Sequence, residues 1–110
     1  MYIIIYDFGT SSAKTCLFHI DSQIQLIAGS TAEYGRYITD NGGAEQDTEE
    51  WWAALCSITR DVLKKSDVKP EKIEGMAFCS QMQGSVFVDE NGNALRRPMN
   101  YLDQKGSKIA

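Results

Sequence analysis

Three apolar runs open the chain at short intervals: Tyr2-Ile3-Ile4-Ile5-Tyr6, then Ala13 to Ile20, then Ile24 to Glu33. β-branched and aromatic residues crowd these runs, Thr10-Ser11 and Asp21-Ser22 separate them, and no helical periodicity intervenes. Residues 2–7, 13–20 and 24–33 are therefore predicted to form three successive strands, most simply an antiparallel meander. From Gly35 to Gln46 periodicity disappears, and Asn41-Gly42-Gly43 favours positive φ, so this stretch is predicted to be an exposed loop. Asp47 then offers a capping oxygen ahead of Thr48-Glu49-Glu50, with acidic side chains where a helix dipole accepts them. Trp51 or Trp52, Leu55, Ile58, Val62 and Leu63 recur at spacings of three and four, and Lys64 and Lys65 suit a C-terminal turn, which predicts a helix with one core-facing stripe. The paired tryptophans have an alternative use against a sugar, but aromatics at helical spacing chiefly fill cores, and they receive no site role. Val68-Lys69-Pro70 ends the pattern. Ile73 to Cys79 is short and mostly apolar, as a buried strand returning parallel to the first would be. Ser85 to Asp89 alternates again, and Glu90-Asn91-Gly92-Asn93 supplies the turn of a second hairpin. The sum is an α/β unit: a three-strand antiparallel meander, a helix, then further strands in a partly parallel sheet.

Composition narrows the classes. The chain has 110 residues, 43% hydrophobic and 24% charged, enough for one modest core and too few for two independent domains. A formal net charge of −4 argues against nonspecific binding to nucleic acid or to an anionic membrane, which excess Lys and Arg would drive. Cys16, Cys56 and Cys79 are odd in number and widely spaced, and His19 is the only histidine, so neither a zinc site nor a disulfide framework is supported. A reduced cytoplasmic setting is expected. No apolar run is long enough to span a bilayer, and Asp7 interrupts the N-terminal stretch where a signal peptide would continue. The polar run from Gln104 to Ala110 completes no element that would seal a core, as in a chain cut in mid-architecture.

The candidate chemistry lies at the first turn. Asp7-Phe8-Gly9-Thr10-Ser11-Ser12-Ala13-Lys14 puts a carboxylate at a strand end, a glycine that permits close backbone approach, hydroxyl and amide donors, and a lysine charge. Together they could hold a metal-bound triphosphate. Strand alternation resumes after the octet, so it would occupy a hairpin tip rather than a helix N-terminus as in a P-loop. Asp, Gly, Thr and Ser are also ordinary turn residues, and the octet alone fits a plain hairpin as well.

Two further stretches act with it: Gly43-Ala44-Glu45-Gln46-Asp47 leading into Glu50-Trp51-Trp52, and Cys79-Ser80-Gln81-Met82-Gln83-Gly84 followed by Val88-Asp89 and Gly92. In order and spacing the three motifs resemble the N-terminal portion of the FGGY carbohydrate kinases, most closely the xylulokinase-like branch, over nearly the whole chain. The resemblance implies a ribonuclease-H-like partial lobe of the actin-like ATPase superfamily. Residues 1–110 would be the N-terminal part of the first kinase lobe, with the second lobe absent. It implies ATP and Mg²⁺ as cofactors, with Asp7 at the metal and Gly9, Thr10, Ser11 and Lys14 along the phosphates.

The family's Gln-Met-His-Gly, which contacts the sugar, corresponds to Gln81-Met82-Gln83-Gly84, so Met82 and Gln83, supported by Gln81, would meet a small-molecule sugar. Gln83 stands in place of histidine; an amide donates and accepts hydrogen bonds but does not titrate near neutrality, which makes the preferred sugar an open matter. Tyr101-Leu102-Asp103-Gln104-Lys105 resembles the family's Trp-x-Asp-x-Arg, placing Asp103 near the sugar pocket, although lysine lacks the planar fork of arginine. The same stretch reads equally as a solvated polar tail. The implied parent reaction moves the ATP γ-phosphoryl group to a sugar hydroxyl of xylulose or a related ketose or polyol. The base that would accept the hydroxyl proton falls beyond residue 110, so this chain alone is expected to be inactive and to need the remaining part of the kinase chain. The alternative is a stand-alone, non-catalytic domain that binds a sugar or a partner. Oligomeric state, a homo-oligomer included, stays open.

Overall fold

The computed structural model describes residues 1–108. Strands β1 (Tyr2–Phe8), β2 (Ser12–Ile20) and β3 (Ile24–Glu33) form the expected meander, with Ile4 opposite Leu17 and Asp7 opposite Lys14 across the first pair. The stretch predicted as an exposed loop instead contains a two-strand ribbon, β4 (Tyr37–Ile38) with β5 (Ala44–Glu45), and Gly43, Ala44 and Gln46 are buried. Gly42, at φ 85°, makes the turn between them. Helix α1 (Thr48–Ser66) follows, and strand β6 (Ile73–Ser80) returns parallel to β1, giving the sheet order β3-β2-β1-β6.

Each end of α1 obeys the local chemistry. The Asp47 side chain accepts a hydrogen bond from the Glu49 N–H, as predicted for the cap. Glu50 does not reach back to the cap; it accepts from the Tyr37 hydroxyl at 2.6 Å, which ties the ribbon to the first helical turn. At the other end Asp67 adopts φ 58° and donates its N–H to the Leu63 carbonyl. Ala54, Ile58 and Val62 on the helix close over Ile4, Tyr6, Ala13 and Leu17 of the sheet. Of the two tryptophans open for the stripe, Trp51 takes the place, packing at the core's margin, and Trp52 is 63% exposed.

The return strand corrects one expectation. Ile73 to Cys79 was expected to be buried, yet Met76 and Phe78 are 62% and 56% exposed. Register explains it: Met76 and Phe78 pair with Ile4 and Tyr6 and so face the α1 side, but α1 packs over β2 and β3 and leaves the β6 edge uncovered. Phe78 instead stacks on Tyr6 with ring centroids 5.2 Å apart. The second hairpin is present only as isolated bridges, Val88 to Ala94 and Ser85 to Met99, around a turn in which Asp89 accepts from the Asn91 and Asn93 N–H groups. The polar run at the end is partly anchored, with a 3-10 turn at Lys105–Lys108. Ile109 and Ala110, its last two residues, lie outside the described residues.

Candidate functional site

A cleft of about 440 Å³ opens at the carboxyl ends of β1 and β6. Phe8 and Gln81 line it from the strand ends, Trp51 and Trp52 from the first turns of α1, and Gln83 and Asn100 from the chain beyond β6. Carboxyl ends of strands are where open α/β sheets hold ligands, because the loops diverge there. Aromatic faces beside amides suit a polyhydroxylated molecule, whose C–H faces stack while its hydroxyls hydrogen-bond.

The β1–β2 hairpin tip borders the cleft. Gly9 donates its N–H to the Ser12 carbonyl at 2.9 Å, and a Cβ on Gly9 would stand 3.3 Å from that same oxygen, which explains a glycine at the tightest point. Tyr34 donates its hydroxyl to the Gly9 carbonyl. Burial, with the nearby Asp7 charge added, pushes the Tyr34 phenol above its usual range. The Thr10 hydroxyl donates to Tyr101 Oη at 3.2 Å. The N–H groups of Thr10 and Ser11 make no hydrogen bond within the described residues, and Ser11 is exposed. Asp7 and Lys14 are cross-strand partners, both exposed, and strand alternation puts both on the face away from α1. Cys79 pairs with Asp7 across the β1–β6 register, and the Asp7 carboxylate beside it holds the thiol above its usual range.

Of the residues expected at the sugar, Gln81 and Gln83 line the cleft, while Met82 is 74% exposed outside it. Gln83 sits at φ 61°, a left-handed conformation that non-glycine residues rarely adopt and that turns its side chain out of strand register. Asp103 lies elsewhere. Its carboxylate accepts from the Ala44 N–H at 2.8 Å and the Lys105 N–H at 3.0 Å, with the Lys105 ammonium at 3.3 Å. Lys105 also pairs with Glu45, which holds Arg96 at 2.7 Å.

This cluster sets a pH dependence. The Lys105 hydrogen bond, with Arg96 behind it, draws the Glu45 carboxyl below its ordinary value; burial acts to raise Asp103, but the Ala44 and Lys105 donors outweigh it. Both groups therefore bind protons less readily folded than unfolded. The stability they contribute is complete above the ordinary carboxylate pKa of about 4 and is lost as pH falls from there through the lowered values. Amide exchange at Ala44 and Lys105, corrected for intrinsic pH effects, is expected to show protection holding above about pH 4 and weakening below it. Unchanged protection at lower pH would contradict the assignment.

Three contributors escaped the sequence reading. Gln46, fully buried, donates from Nε2 to the Thr10 carbonyl at 2.7 Å and accepts at Oε1 from Gln81 Nε2 at 2.6 Å. A polar residue in an aperiodic stretch gives no sign of burial; its place one residue before a helix cap was the available clue. Asn100 is 5% exposed, with Leu102 N–H on its Oδ1. Trp51 has both uses open in the sequence, core and sugar face, and receives no site role there, because helical spacing does not distinguish a core position from a cleft wall at the core's edge. Among the described residues, Glu50 Oε2, Trp51 Nε1, Gln81 Oε1 and Asn100 Nδ2 are buried without hydrogen-bond partners, and all but Glu50 belong to residues lining the cleft. Buried polar atoms are rarely left unpaired, which marks the cleft as a place where a polar ligand would be met.

Comparison with known proteins agrees with this geometry. The model for the FGGY family of carbohydrate kinases, N-terminal domain, matches residues 2–110. The chain is 31% identical over 109 residues to a glycerol kinase of Halorhodospira halophila, covering 98% of this chain and 21% of that protein. It is 29% identical over 101 residues to a xylulose kinase of Staphylococcus epidermidis, covering 92% and 20%. The solved structure of a ligand-bound xylulose kinase from Lactobacillus acidophilus superposes with a TM-score of 0.85 at 27% identity, over 98% of this chain and 21% of that one. The chain spans about a fifth of the length of the curated relatives it matches.

Proposed function

This chain belongs to the FGGY family of carbohydrate kinases through its N-terminal domain, and from that premise we propose that residues 1–110 are the N-terminal part of the first lobe of an ATP-dependent sugar kinase. The observation that carries the reading is the adjacency of two half-sites: an anion-ready hairpin tip and an aromatic, amide-lined cleft, joined through Gln46. Each half alone is ordinary. Their contact at the strand ends is what phosphoryl transfer between two bound molecules requires, since the reaction depends on holding donor and acceptor in line.

The residues present fit the expected cofactors. Mg²⁺ is commonly held by one or two carboxylates together with substrate phosphates, and Asp7 offers one exposed carboxylate at a rigid strand end. When bound, Mg²⁺–ATP would supply the phosphoryl group and the neutralising charge. Asp7 would hold the metal, the Thr10 and Ser11 amides and hydroxyls and the close approach at Gly9 would receive phosphate oxygens, and Lys14 would add a positive charge. Gln81 and Gln83 would orient sugar hydroxyls, and Trp51 would offer a face and an N–H. Met82, from its exposed position, would meet the sugar from outside the cleft. Asp103 has a different proposed part: with its oxygens engaged by Ala44 and Lys105, it would hold the β5 edge beside the cleft.

Among the described residues no Asp, Glu or His lines the cleft to deprotonate a sugar hydroxyl, and this segment alone would bind and not turn over. The uncovered apolar side chains of β6, Met76 and Phe78, support a larger assembly, because apolar surface of this kind is ordinarily covered. The same exposure weighs against the stand-alone binding domain. The acceptor would be xylulose or a related ketose or polyol, and neither nucleic acid nor a membrane is a proposed partner. Among the described residues no helix is long and apolar enough to cross a membrane.

The test is the mass of the native polypeptide, captured by an antibody against this segment, followed by an assay of ATP-dependent phosphorylation over a panel of ketoses and polyols. A species about five times heavier, scaled from a relative of which this chain covers 20%, with phosphoryl transfer to one of these acceptors, is the expected result. A native chain ending at Ala110, or a long chain without transfer, would overturn the proposal.

A further inference from the structure

Gln46 is a fully buried side chain that touches both half-sites, and its chemistry admits a single orientation. The Thr10 carbonyl oxygen can only accept, so the Gln46 amide must turn its nitrogen toward it; the 2.7 Å contact is that donation. Gln46 Oε1 then faces Gln81, which must present its own nitrogen, at 2.6 Å. The Gln81 oxygen is thereby left as the free end of the chain, buried, without a partner among the described residues, on a side chain lining the cleft. The backbone holds the same frame, since the Gln46 N–H donates to Pro98 and the Gln81 N–H to Phe8. We infer that Gln46 is a positioning residue: through it the carbonyl at the hairpin tip dictates which atom of Gln81 faces an incoming hydroxyl, and so couples the phosphate side of the site to the sugar side.

This inference rests on the kinase reading above, and the measurements separate the two. Turnover of the unaltered full chain with ATP and a sugar panel comes first; absence of transfer overturns the reading and the inference together. With turnover in hand, two variants of the same residue are compared over a rising pH series, because burial pushes a carboxyl introduced at this site up and only its ionised form sets an oxygen against the Thr10 carbonyl. Gln46→Glu keeps an acceptor for Gln81 but sets an oxygen against the Thr10 carbonyl. It is expected to raise KM for ATP roughly tenfold and KM for the sugar less than about twofold. Gln46→Leu removes both contacts and frees Gln81 to turn, and both KM values are expected to rise roughly tenfold. A merely structural role would lower the folded fraction and leave the ratio of the two KM values the same in both variants. Equal effects on the two substrates in both variants, or no effect, would overturn the inference and leave the kinase reading standing. Should Gln46→Leu fail to fold, Gln81→Leu breaks the chain from its half-buried end and is expected to raise KM for the sugar roughly tenfold; an unchanged value there would overturn the inference as well.

Discussion

Asp7→Ala in the complete kinase is expected to lower kcat by roughly 10²–10³-fold or more, with the fold left intact. The size of the effect follows from position. Asp7 is held near the end of a strand hydrogen-bonded on both sides, by β2 and by β6, so the point from which its carboxylate reaches out is fixed before any ligand arrives. Preorganised charge of this kind costs no rearrangement at the moment of reaction, which is why removing it is felt in the chemical step rather than in binding alone. Asp7 is itself exposed, and exposed substitutions away from caps and cores change stability by only about 0.5 kcal/mol. Lost activity with an unchanged melting transition is therefore the expected pair of results. A second readout is independent of turnover: the Asp7 carboxylate, the register partner of Cys79, holds that thiol up, so its removal is expected to lower the thiol pKa and speed labelling of Cys79 near neutral pH. Near-normal phosphorylation by Asp7→Ala would dismiss the metal role, and an unchanged labelling rate would dismiss the Asp7–Cys79 contact.

Leu17→Ala is expected to destabilise the fold by about 2–5 kcal/mol, read from the midpoint of denaturant unfolding. Leu17 is 0% exposed on β2, directly opposite Ile4, in the cluster over which Ile58 and Val62 close. A cavity there has little to collapse into it, because strands flank Leu17 on both sides. Against a typical total of about 5–15 kcal/mol, such a loss leaves little margin in a small unit whose β6 edge is uncovered. Leu26→Ala on the neighbouring strand is the control: Leu26 is 59% exposed, and its truncation is expected to cost less than about 0.5 kcal/mol. Equal effects from the two leucines would mean that the core is not where the burial pattern puts it.

The meander and the helix with its Asp47 cap are legible in the sequence, because each depends on near neighbours or on one amphipathic period, and the parallel return of β6 follows from the helix that separates it from the meander, since a crossover helix brings the next strand back parallel. The family was legible for a different reason: three motifs in fixed order carry more information than their separate propensities, and the likeness read from them is borne out by the match over residues 2–110. The exposure of β6 differs from its expected burial because apolar composition reports what a strand can bury, whereas what it does bury depends on where the covering helix lands. The ribbon at residues 37–45 was read as loop because two-residue strands leave no periodic trace, although Asn41-Gly42-Gly43 correctly marked its turn.

The candidate site divides along the same line. Asp7, Gly9 and Lys14 could be named from the sequence because they lie within one hairpin, where register follows from alternation. Gln46, Trp51 and Asn100 could not, because they reach the cleft from segments far apart in the chain, and no local pattern records that meeting. Asp103 makes the reverse case: motif spacing put it near a sugar, and the folded chain engages its carboxylate with Ala44 and Lys105. By itself, then, the sequence determined the meander, the helix, the return strand, their order and the family, which are properties of local periodicity and of ordered motifs. Tertiary structure alone decided which side chains share the cleft and which polar atoms are left without partners, because both depend on contacts between residues tens of positions apart that form only when the sheet and helix close.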